Sequence, residues 1–169
     1  MTDTPTPTGR LHRVDNGVDL VLTRTFRAPV EDVWAAITDP DRTARWYGRW
    51  KGEAAPGHTI KVQPAFEDQA PWTDMRIDAC DAPTRLALSA SDTFGDWHIE
   101  LLLTADDDGT TELRFTHHLA TTDGIGDIGP GWEYYLDMLA ATHANTPLPT
   151  FDDYHPAQKP YFDSLAADS

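Results

Sequence analysis

Five of the six tryptophans, Trp46, Trp50, Trp72, Trp97 and Trp132, carry the most useful chemistry in this chain. Large indole faces gathered around one gap can line a site for an apolar or aromatic ligand. For any one of them the plainer reading is core packing. Trp46, Trp97 and Trp132 are the best pocket candidates, since they fall where a helix pair, a hairpin and a terminal helix must converge. Phe115, Tyr135 and Leu139 complete the apolar wall expected there. His117 is the sharpest polar candidate. The strand register places it inward beside Ile99, where an imidazole can orient a ligand carbonyl or act as a general base, with Tyr135 or Asp96 as helper. Its bland reading is a buried histidine bonded to a backbone group or to Tyr135.

Other constellations are weaker. His98 and His118 are expected to face each other on the outer sheet surface near Glu100, but a metal needs three or four converging ligands, so no metal site and no cofactor are expected. Asp106-Asp107-Asp108-Gly109 resembles part of a calcium loop without the later bidentate glutamate, and reads as a solvated turn. Cys80 has Asp78 and Asp81 beside it, which disfavours a thiolate. The Gly124–Gly129 run follows no strand of a βαβ unit and carries an aspartate, so it reads as a flexible lid over the cavity mouth and not as a phosphate cradle.

The elements that must hold these side chains are legible from period and punctuation. Residues 10–26 read as a hairpin broken at Asp15-Asn16-Gly17, with Leu20, Leu22 and Arg24 on one face. Val30, Val33, Trp34 and Ile37 recur at helical spacing after Pro29, and Thr38-Asp39-Pro40 stops that helix before a second short one. Strands are expected over residues 59–64, 73–80, 85–90, 96–105 and 110–119. In the last hairpin Leu103 faces Leu113, Leu101 faces Phe115 and Ile99 faces His117. A slip of one residue would turn the apolar set outward. A final helix is expected over residues 130–145, with Trp132, Tyr135, Leu136 and Leu139 as its stripe and Glu133 and Asp137 pointing elsewhere.

Three segments carry a resemblance: Phe26-Arg27-Ala28-Pro29-Val30-Glu31-Asp32-Val33-Trp34 with Thr38-Asp39-Pro40 and Trp46; Gly109 to His117; and Gly131-Trp132-Glu133-Tyr134-Tyr135-Leu136. Together with the order of elements they are similar to the SRPBCC (START-like) superfamily. Within it, the chain resembles bacterial homologues of the C-terminal domain of the heat-shock-chaperone ATPase activator. The resemblance implies an α+β helix-grip fold, a curved antiparallel sheet around a long C-terminal helix with two short helices after the first strands. It also implies a cavity between sheet and helix. The glycine-rich insertion before Trp132 and the acidic, aromatic tail depart from that pattern.

The chain is divided into a disordered N-terminus over residues 1–9, one domain over residues 10–145, and a Pro-rich aromatic tail over residues 146–169 that packs on the body or on a partner. A net charge of −15 with no Lys/Arg cluster argues against nucleic acid and anionic lipid. No apolar run approaches the ~20 residues of a membrane span. The N-terminus has no secretory pattern, and the single cysteine fits a reducing, cytoplasmic setting. The expected function is binding of a small hydrophobic or aromatic molecule, without catalysis. One alternative is a cyclase- or hydrolase-type enzyme using His117 as acid–base. Another is a co-chaperone or stress-response module with a chaperone or other protein partner, and a homodimer stays open.

Overall fold

In the computed structural model, residues 6–15, 17–53, 55–64, 72–92 and 95–168 are described, the side chains of Pro64, Ser91, Asp92, Gly95, Asp96 and Asp168 excepted. The chain runs β1 (Arg10–Val14), β2 (Gly17–Phe26), α1 (Val30–Thr38), α2 (Pro40–Thr43), β3 (Gly48–Lys51), β4 (Thr59–Pro64), β5 (Thr73–Asp81), β6 (Arg85–Asp92), β7 (Gly95–Ala105), β8 (Thr111–Leu119), α3 (Ile125–Ala144) and α4 (Lys159–Asp168), with a 3₁₀ turn at Phe151–Asp153. The eight strands form one antiparallel sheet in the order β1-β2-β8-β7-β6-β5-β4-β3. The hairpin β1–β2 docks on the last strand, so α1 and α2 bridge from one half of the sheet to the other. This is the helix-grip architecture, a curved sheet around a long C-terminal helix.

Period-2 alternation of apolar side chains sets the registers. Leu103 pairs with Leu113, Leu101 with Phe115 and Ile99 with His117, which places the apolar set of β7 and β8 on the inner face. Leu20 and Leu22 of β2 and Leu136 and Leu139 of α3 are fully buried in the same core. Asp39 ends α1 and caps α2, its carboxylate accepting the Asp41 N–H at 2.9 Å. Asp32 ties the helix pair to α3. One of its oxygens accepts from Arg42 at 3.0 Å and the other meets His143 Nε2 at 3.0 Å.

Two expectations change. First, the glycine run is no loop: α3 starts at Ile125, directly after Gly124 in the left-handed region (φ 78°). The reason is packing. A Cβ on Gly129 would stand 2.5 Å from the Phe162 ring of α4, and one on Gly126 would stand 2.5 Å from the Asp163 carboxylate. Glycine's poor helix propensity is outweighed by the close approach it allows between α3 and α4.

The C-terminal segment packs on the body, one of the two placements expected for it. Tyr154 and Phe162 are fully buried, and the Tyr161 hydroxyl donates to the Gly9 carbonyl at 2.9 Å. Second, order begins before Arg10. The backbone N–H groups of Thr8 and Gly9 both donate to the Glu133 carboxylate. Glu133 and Asp137, off the apolar stripe as expected, turn toward β2. Arg24, on the inner face of β2, donates to Glu133 at 2.8 Å and to Asp137 at 2.9 Å, and the Tyr154 hydroxyl donates to Asp137 at 2.8 Å. Burial alone would lower the Arg24 pKa, but the charges of Asp137 and Glu133 outweigh that and raise it. The expected turn residue Asn16 lies outside the described residues.

Candidate functional site

Between α1, α2, β3–β8 and α3 lies an inner hollow of about 370 Å³. Its floor comes from the alternation of three strands: Ile60 and Val62 on β4, Met75 and Ile77 on β5, Leu86 and Leu88 on β6. Trp34, Trp46 and Trp50 close it on the helix-pair side, and Trp132 and Leu136 close it from α3. Among the described residues, no charged side chain lines it. Its polar atoms are turned to the backbone. Trp46 Nε1 donates to the Ala36 carbonyl at 2.9 Å and Trp50 Nε1 to the Thr38 carbonyl at 2.8 Å. The Thr38 and Thr43 hydroxyls donate to the carbonyls of Trp34 and Pro40. Satisfied in this way, the indoles and threonines present their apolar surfaces inward.

A second hollow of about 420 Å³ lies outward of the first, lined in part by Thr73, Ala90, Trp97, Ile128 and Tyr135. The two share Tyr47, Met75, Leu88, Ile99 and Trp132. At this junction the rings of Tyr47 and Trp132 lie 11° from parallel, with centroids 6.4 Å apart. Tyr135 and Phe115 brace them, at 4.9 Å from Tyr47 and 4.4 Å from Trp132 respectively.

The expected site residues divide between these spaces. Trp46 and Phe115 line the inner hollow, Trp97 and Tyr135 the outer one, and Trp132 both. His117 and Leu139 line neither. Leu139, one helical turn beyond Leu136, is fully buried in the core. His117 is inward and buried, but Trp97 covers it, stacked at 4.8 Å. Its Nδ1 accepts the Trp132 indole N–H at 3.2 Å, so its bond is to neither the backbone nor Tyr135. Burial, with smaller contributions from His118 and His98, lowers its pKa to about 4, so the ring is neutral at pH 7. It bonds no carboxylate among the described residues, and the Asp96 side chain lies outside them.

The remaining candidates are structural. His98 and His118 are opposite partners across β7 and β8, and His118 Nδ1 meets Asp19 at 2.7 Å. Glu100 is held by Arg85 at 2.8 Å. No group of three or more potential metal ligands occurs among the described residues. Cys80 lines the inner hollow as a thiol, its pKa raised by burial and then by Asp81. Hydrogen bonds from Thr110 hold Asp108 below the usual carboxylate range, as befits a turn. Sequence reading missed Tyr47 and the β4–β6 floor. The signal for the floor was present, as apolar pairs at i and i+2 on successive short strands.

Residues 27–144 match the family described as activator of Hsp90 ATPase homolog 1-like protein. Among solved structures, CalU16 from Micromonospora echinospora is 24% identical, with a TM-score of 0.75 over 95% of this chain and 97% of that one. A Bordetella parapertussis protein, BPP1335, is 23% identical, with a TM-score of 0.68 over 99% of this chain and 93% of that one. DynU16, titled a putative protein in the dynemicin biosynthetic locus, is 22% identical with a TM-score of 0.67. The match covers 85% of this chain and 51% of that one, so this chain spans about half of DynU16. At these identities the likeness shows the fold. No curated protein matches the chain. The chain belongs to the activator of Hsp90 ATPase homolog 1-like family, of SRPBCC type.

Proposed function

We propose that this family member binds a small apolar molecule in the hollow between its sheet and α3, and performs no chemistry on it. One observation carries the reading: a space of about 370 Å³ whose lining, among the described residues, has no charged side chain, and where the indole N–H groups of Trp46, Trp50 and Trp132 each already donate to a protein acceptor. Such a lining gives affinity through area. A ligand hiding about 200 Å² of apolar surface gains about 5 kcal/mol at ~25 cal/mol/Å². Acid–base catalysis is less well supported, because His117 stands behind Trp97, is neutral, and has its Nδ1 engaged by Trp132.

A thermal-shift screen of uncharged apolar compounds tests this. A ligand present at about 100 times its Kd should raise the Tm by about 5–10 °C. Cys80→Phe, which places a ring in the inner hollow, should abolish the shift while the unliganded Tm shows that the variant is folded. A shift that survives in Cys80→Phe, or no shift with any compound, would contradict the proposal.

A further inference from the structure

The two hollows adjoin through five shared lining residues, and together they constrain the ligand's class. This inference rests on the binding reading above and deepens it. The shared residues make the spaces contiguous at the Tyr47–Trp132 pair. Those two rings are within 11° of parallel. The other ring pairs among the lining residues are tilted by 42° or more. The 6.4 Å between the Tyr47 and Trp132 centroids leaves no room for a ring between them, but an aromatic ring beside the cluster of Tyr47, Phe115, Trp132 and Tyr135 gains edge and tilted-face contacts that a flexible chain does not.

Charge sets the second constraint. Among the described residues, neither lining includes a lysine, arginine or histidine. The outer one includes two aspartates. The Asp74 carboxylate pairs with Lys61 at 2.7 Å, and Asp127 pairs with His155 at 2.6 Å. The first turns of α3 line the outer hollow through Asp127 and Ile128, and Asp127 offsets any pull of the helix dipole on an anion there. A carboxylate or phosphate drawn into either space would lose water and find the nearby cationic groups, Lys61 and His155, already engaged by Asp74 and Asp127. An uncharged polar end or a cation carries no such penalty beside Asp127.

We propose that the paired hollows take an uncharged or cationic molecule bearing a planar aromatic ring, packed against Tyr47 and Trp132 at the junction with its polar end in the outer hollow. Fatty acids and other anionic lipids are excluded by the same geometry.

Three probes of known chemistry test this by fluorescence or calorimetric titration at pH 7: 2-aminoanthracene, 2-anthracenecarboxylate and dodecanol. The amine should bind at least tenfold more tightly than the carboxylate and than dodecanol. Tyr47→Leu and Trp132→Leu should each weaken the amine about tenfold while leaving dodecanol within twofold. Two variants are used so that a folding defect in one does not decide the result. Equal affinity for the carboxylate overturns the charge argument, and equal affinity for dodecanol, or insensitivity of the amine to both variants, overturns the ring argument. In each of these cases the apolar-binding reading survives. Binding of none of the three, by a protein that also gives no hit in the thermal screen, overturns both.

Discussion

The indole N–H of Trp132 donates to Nδ1 of His117 across 3.2 Å, joining α3 to β8 behind the hollow. Because Nδ1 accepts, the neutral ring carries its proton on Nε2. This fixes His117 as a support for Trp132, which lines both hollows.

The His117–Trp132 bond predicts an acid dependence. The unfolded chain takes up a proton at this histidine near pH 6.5, whereas the folded protein does so only near 4. Between those values the unfolded state binds more protons, so stability falls as pH drops from about 6.5 to 4. The full contribution is about 3 kcal/mol. His117→Phe removes it and also leaves the Trp132 N–H without an acceptor, at a cost of about 1–3 kcal/mol at pH 7. The gap between wild type and variant should therefore close on acidification. Urea unfolding at pH 7 and pH 4.5 reads this directly, and parallel pH curves for the two proteins would refute it.

The buried cluster under the N-terminal segment predicts a large loss. Glu133→Ala leaves the Arg24 guanidinium short of a partner and frees the Thr8 and Gly9 N–H groups. Breaking a buried pair from one side costs about 3–5 kcal/mol. The double variant Arg24→Met, Glu133→Met should recover part of that loss, because it removes the stranded charge. Urea midpoints for both variants check it. A loss below 1 kcal/mol for Glu133→Ala would mean that the cluster contributes little.

Much of this was legible beforehand, and the division has physical causes. The β7–β8 register could be read because a period-2 pattern flips every side chain on a one-residue slip. The α1–α2 entry could be read because Pro29 and Asp39-Pro40 are local punctuation. The start of α3 could not be read, because Gly126 and Gly129 are explained only by α4, more than thirty residues away in sequence. The Arg24 cluster was hidden for a related reason. Leu20, Leu22 and Arg24 were placed on one face, but nothing local says that Glu133 and Asp137 turn to meet the arginine. In the site, large aromatics announced themselves at Trp46, Trp97 and Trp132. Tyr47 and the small aliphatic residues of β4–β6 did not, since their role depends on which strand neighbours which.

The α3–α4 contact gives a third prediction. Gly129→Ala should raise helix propensity by about 1 kcal/mol in isolation yet destabilise the protein by about 1–3 kcal/mol, since the new methyl meets the Phe162 ring. Phe162→Ala should cost several kcal/mol on its own by opening a cavity. Adding Gly129→Ala to it should then cost little or even stabilise. A double-mutant cycle by urea unfolding measures this coupling, and strict additivity would rule out the packing explanation for the glycines.

The central claim is that the inner hollow holds a small apolar molecule. Intermolecular NOEs measured on a complex with 2-aminoanthracene, or with the best hit of the thermal screen, test it most directly. The account predicts contacts from the ligand to the methyl groups of Ile60, Ile77, Leu86 and Leu101, all lining the hollow. Contacts confined to exposed apolar residues such as Val14 and Leu148, with none to the hollow, would contradict it.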